Sequence, residues 1–222
     1  MEVLSQAVVL KLPVENYQAI NMRNDHYPAG FVRALLNTDS VTPQTRDILI
    51  ERIERKKLIV PVFFDENIFL TLTCVCEHLI PQPNRDSKID LAGLFDEMLA
   101  EGKGNGWRYN KMPPDGEAYK KGIQGINETS ELMFGAAFKQ LDEPKQIGVL
   151  SAVQKNIAPG KTWETLPANL FFEELLAQIV EIYYSHPWAK EEIGEVAFSD
   201  AKGWQKIGLN ELEAWEPKAI NK

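Results

Sequence analysis

Cysteine is nearly missing from this chain: Cys74 and Cys76 are the only two in 222 residues. Two thiols cannot build a disulfide scaffold. Histidine is almost as rare, with His26, His78 and His186 alone, so no His-based catalytic triad is suggested. Positive charge is in deficit. Lys and Arg total 24 against 32 Asp and Glu, a net charge of −8, which argues against a nucleic-acid binder because phosphate contacts need clustered cations. Long apolar runs are also lacking, and no window approaches the ~20 residues that span a bilayer. The longest tract, Leu170 to Tyr184, is broken by Glu173, Glu174, Gln178 and Glu181. Those breaks fall at helical spacing, the pattern of an amphipathic core helix. Strand patterns are sparse: only Ala7 to Leu12 and Leu58 to Phe64 qualify, and each also reads as an extended connector. G-x-S-x-G, H-E-x-x-H, Walker A and C-x-x-C-H are all absent, which removes the chemistries those spacings serve.

What remains is an ordinary globular composition, 44% hydrophobic and 25% charged, long enough to bury a core. Helix signals dominate. Thr42 before Pro43 is a cap followed by a proline at the first helical position, where its missing N–H costs nothing. Leu49, Ile50 and Ile53 then share a face, and the helix closes in Glu54-Arg55-Lys56-Lys57. Asp65 caps a second helix with Phe69, Leu72, Val75, Cys76 and Leu79 inward, stopped by Pro81 and Pro83. Asp90 caps a third, with Leu91, Leu94, Phe95, Met98 and Leu99 inward. Pro113-Pro114-Asp115 opens a fourth, with Tyr119, Ile123, Ile126 and Leu132 on its apolar side. Residues 144–156 form another around Ile147, Leu150 and Val153, and Pro167 starts the long one ending near Tyr184. The expected fold is mainly α, in a single helical domain. Residues 1–40 form an N-terminal arm, 41–185 a helical core, and 186–222 an irregular tail that wraps a partner.

Two constellations invite a chemical reading. Cys74-x-Cys76-x-His78 places Cys74 and His78 on one helical face, while Cys76 points about 200° away from Cys74. A tetrahedral zinc site needs three or four converging ligands, and His26 and His186 are remote in sequence. Buried small hydrophobes are the plainer reading of the cysteines, so no metal ligand is assigned. Gly102, Gly104 and Gly106 give G-x-G-x-G, but the preceding element reads as a helix where a dinucleotide fingerprint needs a strand. The segment is read as a turn.

The C-terminal segment is the outlier. After His186 the periodicity dissolves, yet three of the five tryptophans (Trp188, Trp204, Trp215) lie there. Disordered tails are poor in aromatics, whereas tryptophan and tyrosine anchor interfaces. Tyr183, Tyr184, His186, Trp188, Trp204 and Trp215 are the expected partner contacts.

The chain from Thr42 to Pro217 resembles the gluconate 2-dehydrogenase subunit 3 family. The resemblance rests on ordered pieces. In the first half they are Thr42-Pro43-Gln44-Thr45-Arg46 and Thr71 to Gln82 (TLTCVCEHLIPQ). Further on come Phe171-Phe172, Tyr183-Tyr184-Ser185-His186-Pro187 and Glu192-Ile193-Gly194. The last are Gly203-Trp204 (usually Gly-Tyr in the family), Ile207-Gly208 and Trp215-Glu216-Pro217. The resemblance implies a helical small subunit with no catalytic residue and no cofactor of its own. It would bind a large FAD-containing dehydrogenase of the glucose-methanol-choline type and aid its folding or stability. That partner would oxidise a sugar, an aldonate or a sugar glycoside, with a cytochrome or another acceptor taking the electrons. Many members carry a twin-arginine leader. No Arg pair stands in the first residues here, so the expectation is a cytoplasmic glycoside dehydrogenase complex, with the periplasm as the alternative if a leader has been removed. The rival readings are a helical adaptor for an unrelated partner and a metal-dependent enzyme using Cys74 and His78.

Overall fold

Short polar side chains just before apolar stretches set most helix starts in this chain. The computed structural model describes residues 27–83, 87–104 and 110–220. Among them nine helices and no strand occur, so the mainly α expectation is met. In chain order they are α1 (Phe31–Leu36), α2 (Pro43–Glu54), α3 (Glu66–Leu79), α4 (Leu91–Ala100), α5 (Asp115–Phe134), α6 (Glu143–Gln154), α7 (Thr162–Thr165), α8 (Ala168–Ser185) and α9 (Pro187–Ile193). Asp65 accepts the Ile68 N–H at 2.9 Å and Asp90 the Gly93 N–H at 3.1 Å, so both expected caps form. Asp142 does the same for Lys145 at the start of α6. Each satisfies a donor that the first helical turn leaves without an intrahelical partner. The candidate strand at 7–12, His26, and the second half of the glycine-rich turn lie outside the described residues.

The described residues divide into two units, 57–182 and 27–56 with 183–220. In the first, α5 packs against α3, α6 and α7, and α3 packs against α4. Leu72, Phe95, Ile123, Ile126, Leu150, Phe171 and Ile179 are almost fully buried. Gly122 makes the close approach possible: a Cβ there would meet the Phe171 ring at 2.1 Å. Leu132 departs from expectation, being 61% exposed. Six residues beyond Ile126, it stands about 120° off that face, and Thr129 and Ser130 take the buried positions instead.

Polar side chains lock the first unit's connections. Asn127 donates to Thr71 Oγ1 at 2.7 Å and accepts the Phe138 N–H at 3.0 Å. Gln146 donates to the Phe138 carbonyl at 2.9 Å, and its Oε1 meets His78 Nε2 at 2.6 Å. Phe138 is thereby held fully buried. Residues 58–64 form no strand; they are a connector with bends at 59–60 and 62–64. Fully buried Asp96 accepts N–H groups from Val62, Phe63 and Phe64, and Asp90 accepts that of Leu58. Ile59, Val60 and Val62 remain exposed.

In the second unit, α9 packs against α1 and α2. Val32, Leu35, Leu36, Val41, Leu49, Val196 and Phe198 form its core, with Ile50, Ile53 and Trp215 packed on the edge. The tail expected to be irregular from 186 contains α9. Pro187 suits the first helical position and His186 supplies the cap, a start signal that periodicity alone missed because the helix is only two turns long. Gly194 ends it at φ +70°, a backbone conformation that favours glycine. Residues 194–220 are turns and irregular chain.

Candidate partner interface

The six aromatic and histidine positions picked from sequence all belong to the second unit, and the fold gives them different tasks. His186 is 4% exposed. Its Nδ1 accepts the Trp188 N–H at 3.2 Å, and its Nε2 lies 2.9 Å from the Arg52 carbonyl oxygen. A carbonyl only accepts, so these partners assign the proton to Nε2. The Arg52 guanidinium donates back to the Ser185 carbonyl at 2.6 Å. His186 thus joins the end of α2 to the start of α9. Trp188 is half-buried, its ring 4.8 Å from the His186 ring.

Tyr183 is buried and donates to Glu192 at 2.8 Å. Tyr184 is 38% exposed and stands edge-on to Tyr183 at 5.1 Å. Partial burial, then the Glu192 charge, push its phenol pKa upward. Trp215 lies on the core edge with Nε1 buried and without a hydrogen-bond partner among the described residues. Trp204 meets it at 6.0 Å and is 40% exposed. Tyr184 and Trp204 are therefore the two of the six with substantial open surface.

Sequence reasoning missed the most exposed apolar groups of the second unit. Ile207 is 88% exposed and Leu209 94%, with Leu212 and Ile193 about half open. It also missed Asp200, whose carboxylate accepts from the Thr42 N–H, the Thr42 hydroxyl and the Thr45 hydroxyl at 2.8, 2.9 and 2.6 Å. These bonds hold its pKa at about 2 and tie the tail to the start of α2. Ion pairing ties α9 to α1, with Glu191 accepting the Gly30 N–H at 3.1 Å beside Arg33. No local motif marks any of these pairings, because the partners lie more than 150 residues apart.

The Cys74, Cys76 and His78 constellation lies in the first unit. Both thiols have raised pKa values, chiefly through burial, which disfavours the thiolate a metal requires. His78 Nε2 is engaged by Gln146. Among the described residues no three His, Cys, Asp or Glu side chains gather as metal ligands would. No described helix is long and apolar enough to cross a membrane.

Neither the curated proteins nor the solved structures gave a match. The family model of gluconate 2-dehydrogenase subunit 3 matches residues 66–210, well over half of the chain, and the chain therefore belongs to the gluconate 2-dehydrogenase subunit 3 family.

Proposed function

We propose that this chain is the non-catalytic small subunit of an FAD-dependent sugar or glycoside dehydrogenase, binding and stabilising a large flavoprotein of the glucose-methanol-choline type. Family membership across residues 66–210 carries the reading. The apolar side chains that residues 193–220 leave in solvent support it, because exposed apolar surface favours a covered state. FAD and the substrate site belong to the partner, and a cytochrome or another acceptor takes its electrons. A stable interface of this kind buries about 2,000 Å² or more.

Co-expression tests the proposal. A flavoprotein of the glucose-methanol-choline type from the same source is produced with and without this chain, and soluble FAD-loaded protein is measured by flavin absorbance. Yield should rise severalfold when both are present, and the two should co-elute. Equal yield and activity from the flavoprotein alone would remove the stabilising role.

A further inference from the structure

Contacts inside the first unit fix the register of α5 against α8. A Cβ at position 122 would meet the Phe171 ring, and one at position 125 would meet Thr162 and Trp163. Thr129 Oγ1 accepts the Trp163 Nε1–H at 2.8 Å. Advancing along α5 therefore means retreating along the chain that leads into α8, so the two helices run antiparallel. Continued the other way, this register sets Tyr119 and Asp115, one turn apart on α5, alongside Glu174, Gln178 and Glu181, which share a face of α8. Glu174 is 5% exposed, and Tyr119 and Gln178 are 4% exposed. Gln178 donates to Glu181 at 3.4 Å. Among the described residues, neither a hydrogen-bond donor nor a cation pairs with the Glu174 carboxylate.

A buried carboxylate is normally paired or hydrogen-bonded, because nothing else replaces the hydration its charge has lost. The groups around Glu174 add to that cost. Asp115 and Tyr119 face it from α5, Glu173 precedes it on α8, and Glu181 follows two turns on. From α4, Phe95 stands edge-on to Tyr119 at 4.7 Å and brings no charge. Burial first, then the charges of Asp115 and Glu173, push the Glu174 carboxyl upward. Burial, then Glu174, Asp115 and Glu181, push the Tyr119 phenol upward too, so it stays protonated beside the carboxyl. We infer that Glu174, buried against Asp115 and Tyr119, is a proton-binding site, and that α5 and α8 pack more strongly on its neutral acid than on its carboxylate. The folded protein then holds this proton to higher pH than the unfolded chain does. The destabilising charge is fully present above the folded value. It is lost as pH falls to the unfolded value near 4.3, so acidification through that window strengthens the fold at this site.

The test uses the full chain with isotope-labelled glutamate. Carboxyl carbon resonances are followed by NMR between about pH 8 and about pH 4, and the Glu174 signal is assigned by its loss in Glu174→Gln. Its midpoint should lie above the ordinary glutamate value of about 4.3. Asp115→Asn should move that midpoint down, and Glu117→Gln, at an exposed position of α5, should leave it in place. Glutamine keeps the shape of the side chain and removes its charge. As pH falls through the same range, wild type should therefore gain melting temperature relative to Glu174→Gln. Three outcomes would each overturn the proton site: no glutamate carboxyl titrating above the ordinary value, a Glu174 midpoint that ignores Asp115→Asn, or a melting gap that stays constant with pH. The first needs no variant, so it decides even if Glu174→Gln does not fold.

Discussion

His186 uses both ring nitrogens inside the protein, one to start α9 and one to hold the end of α2. Replacing it with alanine removes a cap and strands the part-buried Arg52 carbonyl, each worth about 1 kcal/mol, so His186→Ala should lose roughly 2 kcal/mol in urea unfolding. His186→Asn should recover part of this, since asparagine caps but is too short to reach Arg52. An unchanged midpoint for His186→Ala would mean that the ring carries no structural weight. Asp200 makes a pH-dependent contribution with a definite sign. Its pKa is lowered to about 2 by the amide and hydroxyl donors of Thr42 and Thr45. The stabilisation is therefore complete above the unfolded value near 3.9 and is lost as pH falls through about 2. Asp200→Asn should melt below wild type at pH 6, and the gap should close between about pH 4 and pH 2. A gap that stays constant with pH would show that the charge is irrelevant.

At the scale of elements, close packing and tethered connectors decide the outcome. Alanine at 122 would gain up to about 1 kcal/mol of helix propensity. The added Cβ would also stand 2.1 Å from the Phe171 ring, and overpacking costs about 1–3 kcal/mol. Gly122→Ala is therefore expected to be net destabilising by denaturant titration, and a stabilised variant would contradict the packing described. Asp96 holds residues 62–64 by their amides. Asp96→Ala leaves those donors without their acceptor, at about 1–3 kcal/mol for each that stays buried. It should lower stability by several kcal/mol and speed hydrogen exchange at Val62, Phe63 and Phe64. Unaltered exchange at those amides would assign the restraint elsewhere. The expected inward Leu132 and the missed helix α9 belong to this scale too. The first was a phase error over the last turn and a half of α5, the second a helix too short to show a period.

For the whole molecule, family membership and exposed apolar surface point to a polypeptide completed by a partner, and the co-expression yield is the measurement that decides it. Helix starts at Thr42, Asp65 and Asp90 were readable because a cap and its donor lie three residues apart. The family was readable because its pieces occur in order along the chain. The functions of the aromatic positions were not readable. Whether His186 faces a partner or the protein's own interior depends on Arg52, 134 residues away. Whether Ile207 and Leu209 are buried or displayed depends on the Glu213 carboxylate, which folds back into the loop and accepts the Gln205 and Lys206 N–H groups. The sequence by itself determined the longer helices, the absence of local catalytic motifs, and the family, since all of these are written in short spacings. Only the tertiary structure decided which apolar groups stay in water, because burial follows from long-range packing that no local pattern encodes.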